Sequence, residues 1–171
     1  MKKNYGIVTF LSQPMTLLGD IIKVGMKAPD FQVVNKELKN VNLHDFEGKI
    51  RVISAVPSID TGICDLQTRR FNEEASKMKD VAFLSVSCDL PFALNRYCGT
   101  AGIDNIVMLS DHLTTDFGLK YGFLIEELRI LTRGIIIIDK DNTVKYVQIV
   151  KEIAGHPDYD KAMEQLREMI R

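Results

Sequence analysis

Cys64 is the residue whose setting allows chemistry. It lies in 57-PSIDTGICDLQTRRF-71, three residues after Thr61 and seven after Pro57. Pro57 stops an apolar run, and helical spacing begins at Thr61. Thr61 therefore reads as a helix N-cap and Cys64 as a first-turn residue near N3. Backbone donors of a first turn lack intrahelical partners and favour a negative group, so a sulfur there is favoured as thiolate, its nucleophilic form. The Thr61 hydroxyl, one turn earlier, is placed to hydrogen-bond that sulfur. The alternative is packing, because a cysteine at a helix start is also an ordinary small core residue.

The other chemistry-bearing residues are scattered. There are three cysteines, Cys64, Cys88 and Cys98, and this odd number does not suggest a secreted disulfide framework. They form no close pair and have no histidine between them, while His44, His112 and His156 fall in separate segments; this disfavours a zinc site. Cys98 shares a helical face with Pro91, Leu94 and Ala101, which fits core packing. Cys88 shares strand parity with Leu84 and Val86, which also fits a core role. Arg133 directly precedes 134-GIIIID-139. If that strand lies beside 51-RVISAV-56, the guanidinium approaches the Cys64 sulfur. Asp60 and Asp65 flank the site and read as a solvated turn and a helix-start carboxylate. Arg69 and Arg70 read as the exposed face of the helix. Tyr121, Phe123 and Leu124 fit a dimer surface and a core equally.

These residues need elements to hold them. Short strands are expected at 7-IVTF-10 and 14-PMTLLG-19 around a Ser-Gln turn, forming an N-terminal hairpin. Residues 30-DFQVVN-35 read as a strand and 41-VNLHDFEGK-49 as a turn. The β-branched run 51-RVISAVP-57 suits a central strand covered on both faces. A helix follows over 61–79, with Ile63, Cys64, Gln67, Phe71 and Ala75 at helical spacing. A strand at 81-VAFLSVS-87 and a helix in 89-DLPFALNRYCGTAG-102 come next, with Asp89 as N-cap, Pro91 in the first turn and Gly99 or Gly102 at the end. Residues 106-IVMLSD-111 form a short strand and 113–123 a weak helix. The segment 124–133 is part loop and part extended. Two strands around Asp-Lys-Asp-Asn make a hairpin of 134–150, and 157–171 is a terminal helix. The order predicts one α/β domain over residues 1–171 with a central mixed sheet flanked by helices, residues 1–20 being an N-terminal β-hairpin extension.

Composition excludes several classes. The 171 residues suit one ordinary domain, and 46% apolar with 26% charged residues is globular. A formal net charge of −1 gives no electrostatic argument for nucleic acid or an anionic membrane surface. No 18-residue apolar run exists, and the start has no long apolar core of a signal peptide, so the expected location is cytoplasmic. P-loop and dinucleotide glycine patterns are absent, so no nucleotide cofactor has a motif to bind.

On these residues the chain resembles the thiol peroxidases, a branch of the peroxiredoxins. Pro57, Thr61 and Cys64 match the family's Pro-x-x-x-Thr-x-x-Cys motif, and PSIDTGIC is the longer form characteristic of the branch. DLPFALNRYCG resembles its second signature and ends in Cys98 and Gly99, while Arg133 falls on the family's active-site arginine. The resemblance implies a thioredoxin-like fold, a homodimer, and no metal, haem, flavin or nicotinamide. It also implies a mechanism. Cys64 attacks a hydroperoxide and becomes a sulfenic acid, Arg133 stabilises the thiolate and the peroxide oxygens, and Thr61 orients sulfur and substrate while Pro57 shields the site. Cys98 resolves the sulfenic acid as an intrachain disulfide, and thioredoxin or a similar dithiol recycles it. At Cys88 the family often carries another residue. Two other functions use a reactive thiol. A protein disulfide oxidoreductase usually relies on Cys-x-x-Cys, whereas Cys64 is followed by Asp65, Leu66 and Gln67. A peroxide sensor would use the same thiol as a peroxidase.

Overall fold

The computed structural model describes residues 1–171. The chain opens with an antiparallel hairpin, β1 (Lys3–Phe10) and β2 (Gln13–Leu18). Its turn is Leu11–Ser12, one residue earlier than expected, because Gln13 already pairs with Phe10. Both turn residues have positive φ, 49° and 67°, which matches the twist of the flanking strands. β3 (Gln32–Asn35) is as expected. β4 (Asn40–Asn42) falls in a segment that reads as turn, since three residues with exposed or half-buried side chains leave no alternation to detect. A single 3-10 turn follows at Leu43–Phe46.

Three parallel strands carry the middle of the fold: β5 (Ile50–Ala55), β6 (Val81–Ser87) and β7 (Val107–Ser110). Helix α1 (Gly62–Lys77) links the first two and α2 (Pro91–Ala101) the second two. Then come α3 (Asp116–Tyr121), the two-residue β8 (Leu124–Ile125), the antiparallel hairpin β9 (Gly134–Ile138) and β10 (Val144–Ile149), and α4 (Tyr159–Ile170). Seven strands make one mixed sheet in the order β10-β9-β5-β6-β7-β3-β4, while β1, β2 and β8 form a separate three-stranded sheet. No helix is long and apolar enough to cross a membrane.

The apolar runs are continuous because the sheet is covered on both faces. Ile135 and Ile137 pack with Val52, Phe83, Phe71 of α1, Leu94 of α2 and Met163 of α4. Ile136 and Ile138 point the other way, into a cluster with Ile53, Leu84, Phe117, Tyr121 and Leu18 of the hairpin. Tyr121, Phe123 and Leu124 all lie in this second cluster with no exposed surface, which decides for core over a dimer surface.

α2 begins differently from expectation. Leu90, not Asp89, holds the N-cap position and offers no side-chain bond, with Pro91 next. The Asp89 carboxylate is engaged elsewhere, accepting from Ser58 Oγ at 2.7 Å, Ile59 N at 2.9 Å and Ser87 Oγ at 2.8 Å. At the other end Gly102, in the left-handed region at φ 70°, closes the helix.

Candidate active site

Cys64 is placed by the end of one strand and the cap of one helix. β5 ends at Ala55, and Pro57 is buried in the turn that follows. Asp89 ties Ser58 and Ile59 of that turn to the end of β6. Thr61 then takes an extended N-cap geometry, φ −102° and ψ 148°, and its Oγ1 accepts the Cys64 backbone N–H at 3.3 Å. The hydroxyl proton goes to the Ser58 carbonyl at 3.3 Å rather than to the sulfur, so the threonine serves the backbone here. Cys64 thus stands at N3 and faces inward with no exposed surface.

β9 runs antiparallel to β5, with Gly134 opposite Ala55. That register brings Arg133 to the top of the strand on which the turn begins. Its Nη2 donates to Cys64 Sγ at 3.2 Å. Its Nη1 donates to Gln67 Oε1 at 3.0 Å and its Nε to the Ile153 carbonyl at 2.8 Å, so three directions of the guanidinium fork are held. Arg133 is 2% exposed and has no carboxylate partner, which leaves its charge to act on the sulfur. Gly134 permits this approach, because a Cβ there would fall 2.7 Å from the Phe123 ring.

Gln67 is the residue the sequence reading overlooked. One turn beyond Cys64, it donates to Ser54 Oγ at 2.7 Å and presents its oxygen to Arg133. The available signal was a polar side chain on the buried stripe between Cys64 and Phe71, a position that demands internal partners. Arg69 and Arg70 are also more than a solvated face. Arg69 pairs with Asp65 and donates to the Ala101 carbonyl of α2, and Arg70 reaches Asp160 of α4. Asp65 lies in the first turn of α1, as its reading as a helix-start carboxylate expects, and it also has side-chain partners. Burial raises its pKa, but the bonds from Tyr97 and Arg69 outweigh that and hold it below the ordinary value.

All three cysteines are free thiols. Cys98 is 6% exposed and packs in the cluster that contains Phe71 of the Cys64 helix. Burial pushes its pKa up. Cys88 packs against the cluster on the opposite face of the sheet, where burial, followed by the Asp111 and Asp89 carboxylates, raises its pKa to about 12. No group of three or more histidine, cysteine or acidic side chains is arranged to hold a metal. The chemical capacity of the site is concentrated on one sulfur, with a guanidinium and a helix start both directed at it. The arrangement places a charged donor where negative charge on the sulfur, or on a group the sulfur attacks, would be met.

The chain is similar to known proteins over most of its length. The family model described as Redoxin matches residues 23–163. A thiol peroxidase of Halalkalibacterium halodurans is 54% identical over 157 residues, covering 92% of this chain and 95% of that protein. A thiol peroxidase of Bacillus subtilis is 46% identical over 164 residues, covering 96% and 98%. Among solved structures, a peroxiredoxin-like protein from Aquifex aeolicus superposes with a TM-score of 0.91 at 38% identity, covering 99% of each chain. A thiol peroxidase from Chromobacterium violaceum shares the fold with a TM-score of 0.85 over the whole of both chains. The chain therefore belongs to the Redoxin family and, within it, to the thiol peroxidases of the peroxiredoxin group.

Proposed function

We propose that this thiol peroxidase reduces hydrogen peroxide and organic hydroperoxides at Cys64. The observation that carries the reading is the 3.2 Å contact from Arg133 Nη2 to Cys64 Sγ at the capped start of α1. The thiolate attacks the terminal peroxide oxygen, the O–O bond breaks, and water or an alcohol leaves, with Cys64 becoming a sulfenic acid. Arg133 stabilises the thiolate and the charge developing on the peroxide oxygens. Thr61 keeps the helix start formed and orients an entering hydroperoxide, while Pro57 shields the turn from water.

Cys98 is the proposed resolving residue. Its thiol attacks the Cys64 sulfenic sulfur, an S–S bond forms within the chain, and water leaves. Thioredoxin or a similar dithiol then returns both thiols by exchange. Cys98 shares a core cluster with the helix that carries Cys64, whereas Cys88 packs on the far side of the sheet. In the reduced protein Cys64 Sγ is engaged by Arg133 and Cys98 packs in a cluster that does not include Cys64, so closure goes with local rearrangement of the segments that carry them. The same reading takes residues 1–171 as one folding unit, a homodimer as the working assembly and the cytoplasm as the compartment.

The test is peroxide consumption by Cys64→Ser with saturating dithiol reductant. Loss of turnover in a folded variant is the expected result, and retained wild-type turnover overturns the assignment.

A further inference from the structure

The segments bearing Cys64 and Cys98 are tied together one residue away from each sulfur. Tyr97, directly before Cys98, donates its hydroxyl to Asp65 Oδ1 at 2.6 Å, and Asp65 directly follows Cys64. Arg69 Nε reaches both Asp65 oxygens at 3.0 Å, and its Nη1 donates to the Ala101 carbonyl at 3.2 Å. That carbonyl belongs to the last turn of α2, where backbone acceptors lack intrahelical donors. One carboxylate, one phenol and one guanidinium therefore bridge the first turn of α1 and the last turn of α2. The phenol ring packs against the cluster that holds Cys98.

We propose that Tyr97 is a positioning residue for the resolving step: its bond to Asp65 latches α2 onto α1 and sets how fast Cys98 reaches oxidised Cys64. The inference rests on Cys98 being the resolving cysteine. Cys64 Sγ is held by Arg133, and Cys98 packs in a core cluster to which Cys64 does not belong, so closing the S–S bond takes each sulfur out of the packing that holds it in the reduced protein. The residues that must move include Asp65 and Tyr97, and their bond is lost when the two helices part.

The latch governs a competition. In the closing step the Cys98 sulfur attacks the Cys64 sulfenic sulfur, the S–O bond breaks, and the hydroxyl leaves as water with the Cys98 proton. Cys98 is oxidised and Cys64 reduced by that transfer. In the competing step a second hydroperoxide gives one oxygen to the Cys64 sulfenate, leaving sulfinate and an alcohol or water. A tight latch prolongs the sulfenic acid and favours the second outcome at high peroxide. A loose latch favours the disulfide.

Tyr97→Phe keeps the ring and removes the bond. Reduced protein receives one equivalent of hydrogen peroxide, and the sulfenic acid and the Cys64–Cys98 disulfide are followed by quenched-flow mass spectrometry. A phenol bond to a carboxylate that is about one-third exposed predicts roughly tenfold faster closure. Sulfinate formation in excess peroxide should fall by about the same factor, with the first peroxide step unchanged. Asp65→Ala should also speed closure, and the double variant should close no faster than Asp65→Ala, because the hydroxyl acts in the latch through that carboxylate. Unchanged or slower closure in Tyr97→Phe, with a normal wild-type Cys64–Cys98 bond, overturns the latch alone. A wild-type protein that forms no Cys64–Cys98 bond overturns the resolving assignment, and the latch with it.

Discussion

Gln67 holds Arg133 against Cys64. The amide oxygen accepts from Arg133 Nη1 at 3.0 Å, while its nitrogen is anchored on Ser54 of β5 at 2.7 Å. The guanidinium is therefore aimed by a side chain on the same helix as the sulfur, one turn further on. Gln67→Leu preserves approximate volume and removes that anchor. It leaves Arg133 Nη1 buried without its partner, so peroxide attack should slow about tenfold while disulfide closure is unaffected. Stopped-flow measurement of the first peroxide equivalent, set beside single-turnover disulfide formation, separates the two steps.

Arg133→Met removes the charged donor outright. A buried donor aimed at developing negative charge is worth about 10²–10³ in rate. Peroxide attack should fall by that factor, and Arg133→Lys should recover only part of it, because an ammonium cannot reach Gln67, Ile153 and the sulfur together. The second-order rate constant for hydrogen peroxide is the readout.

Cys88 and Cys98 should separate cleanly. One equivalent of peroxide should link Cys64 to Cys98, identified by non-reducing peptide mapping. Cys98→Ser should consume that equivalent and stop as sulfenic acid, whereas Cys88→Ser should keep most turnover. Burial holds Cys88 almost wholly as thiol, with a pKa of about 12, so an alkylating agent at neutral pH should modify it very slowly in the native protein. A dominant Cys64–Cys88 bond, with normal cycling of Cys98→Ser, would overturn the resolving assignment alone.

Gly134→Ala tests the register that delivers Arg133. The added methyl would lie 2.7 Å from the Phe123 ring, inside a fully buried strand. Overpacking of this kind costs about 1–3 kcal/mol. The variant should unfold at lower denaturant and attack peroxide more slowly, since a shift of β9 carries Arg133 with it. Equilibrium denaturation and the peroxide rate should change together.

Asp111 supplies a pH dependence of stability. Burial raises its pKa from the ordinary 3.8 to about 6, although the Gly118 and Phe117 backbone N–H groups donate to it. Between those values the folded protein holds a proton that the unfolded chain releases, so protonation favours folding. This contribution is complete below about pH 4 and is lost as pH rises through about 6, on the order of 2–3 kcal/mol in all. The unfolding free energy of wild type relative to Asp111→Asn should therefore rise on acidification across that window. A flat difference would refute it.

Much of this protein was legible in the sequence because it is local. The Thr61 cap and the N3 position of Cys64 follow from a proline, a threonine and helical spacing within a few residues, and the helix starts where expected. The isoleucine run and the hairpin after it follow from two-sided burial and a polar turn. Cys88 and Cys98 could each be given a facing from strand parity or helical spacing. What the tertiary structure decided are contacts between segments tens of residues apart. Arg133 could be connected with Cys64 only on the condition that two strands pair, and β9 does lie beside β5. Asp89 looked like a helix cap, yet its carboxylate is drawn across to Ser58 and Ile59, which no local pattern encodes. Asp65 read only as a helix-start carboxylate and Arg69 as exposed helix face, because Tyr97 and Ala101, which they also bind, sit on another helix. The Asp65–Arg69 pair itself has the i,i+4 spacing of one helix face, but partners on other elements have no such spacing; they are chosen by how the helices pack on the sheet, and packing exists only once the chain has folded.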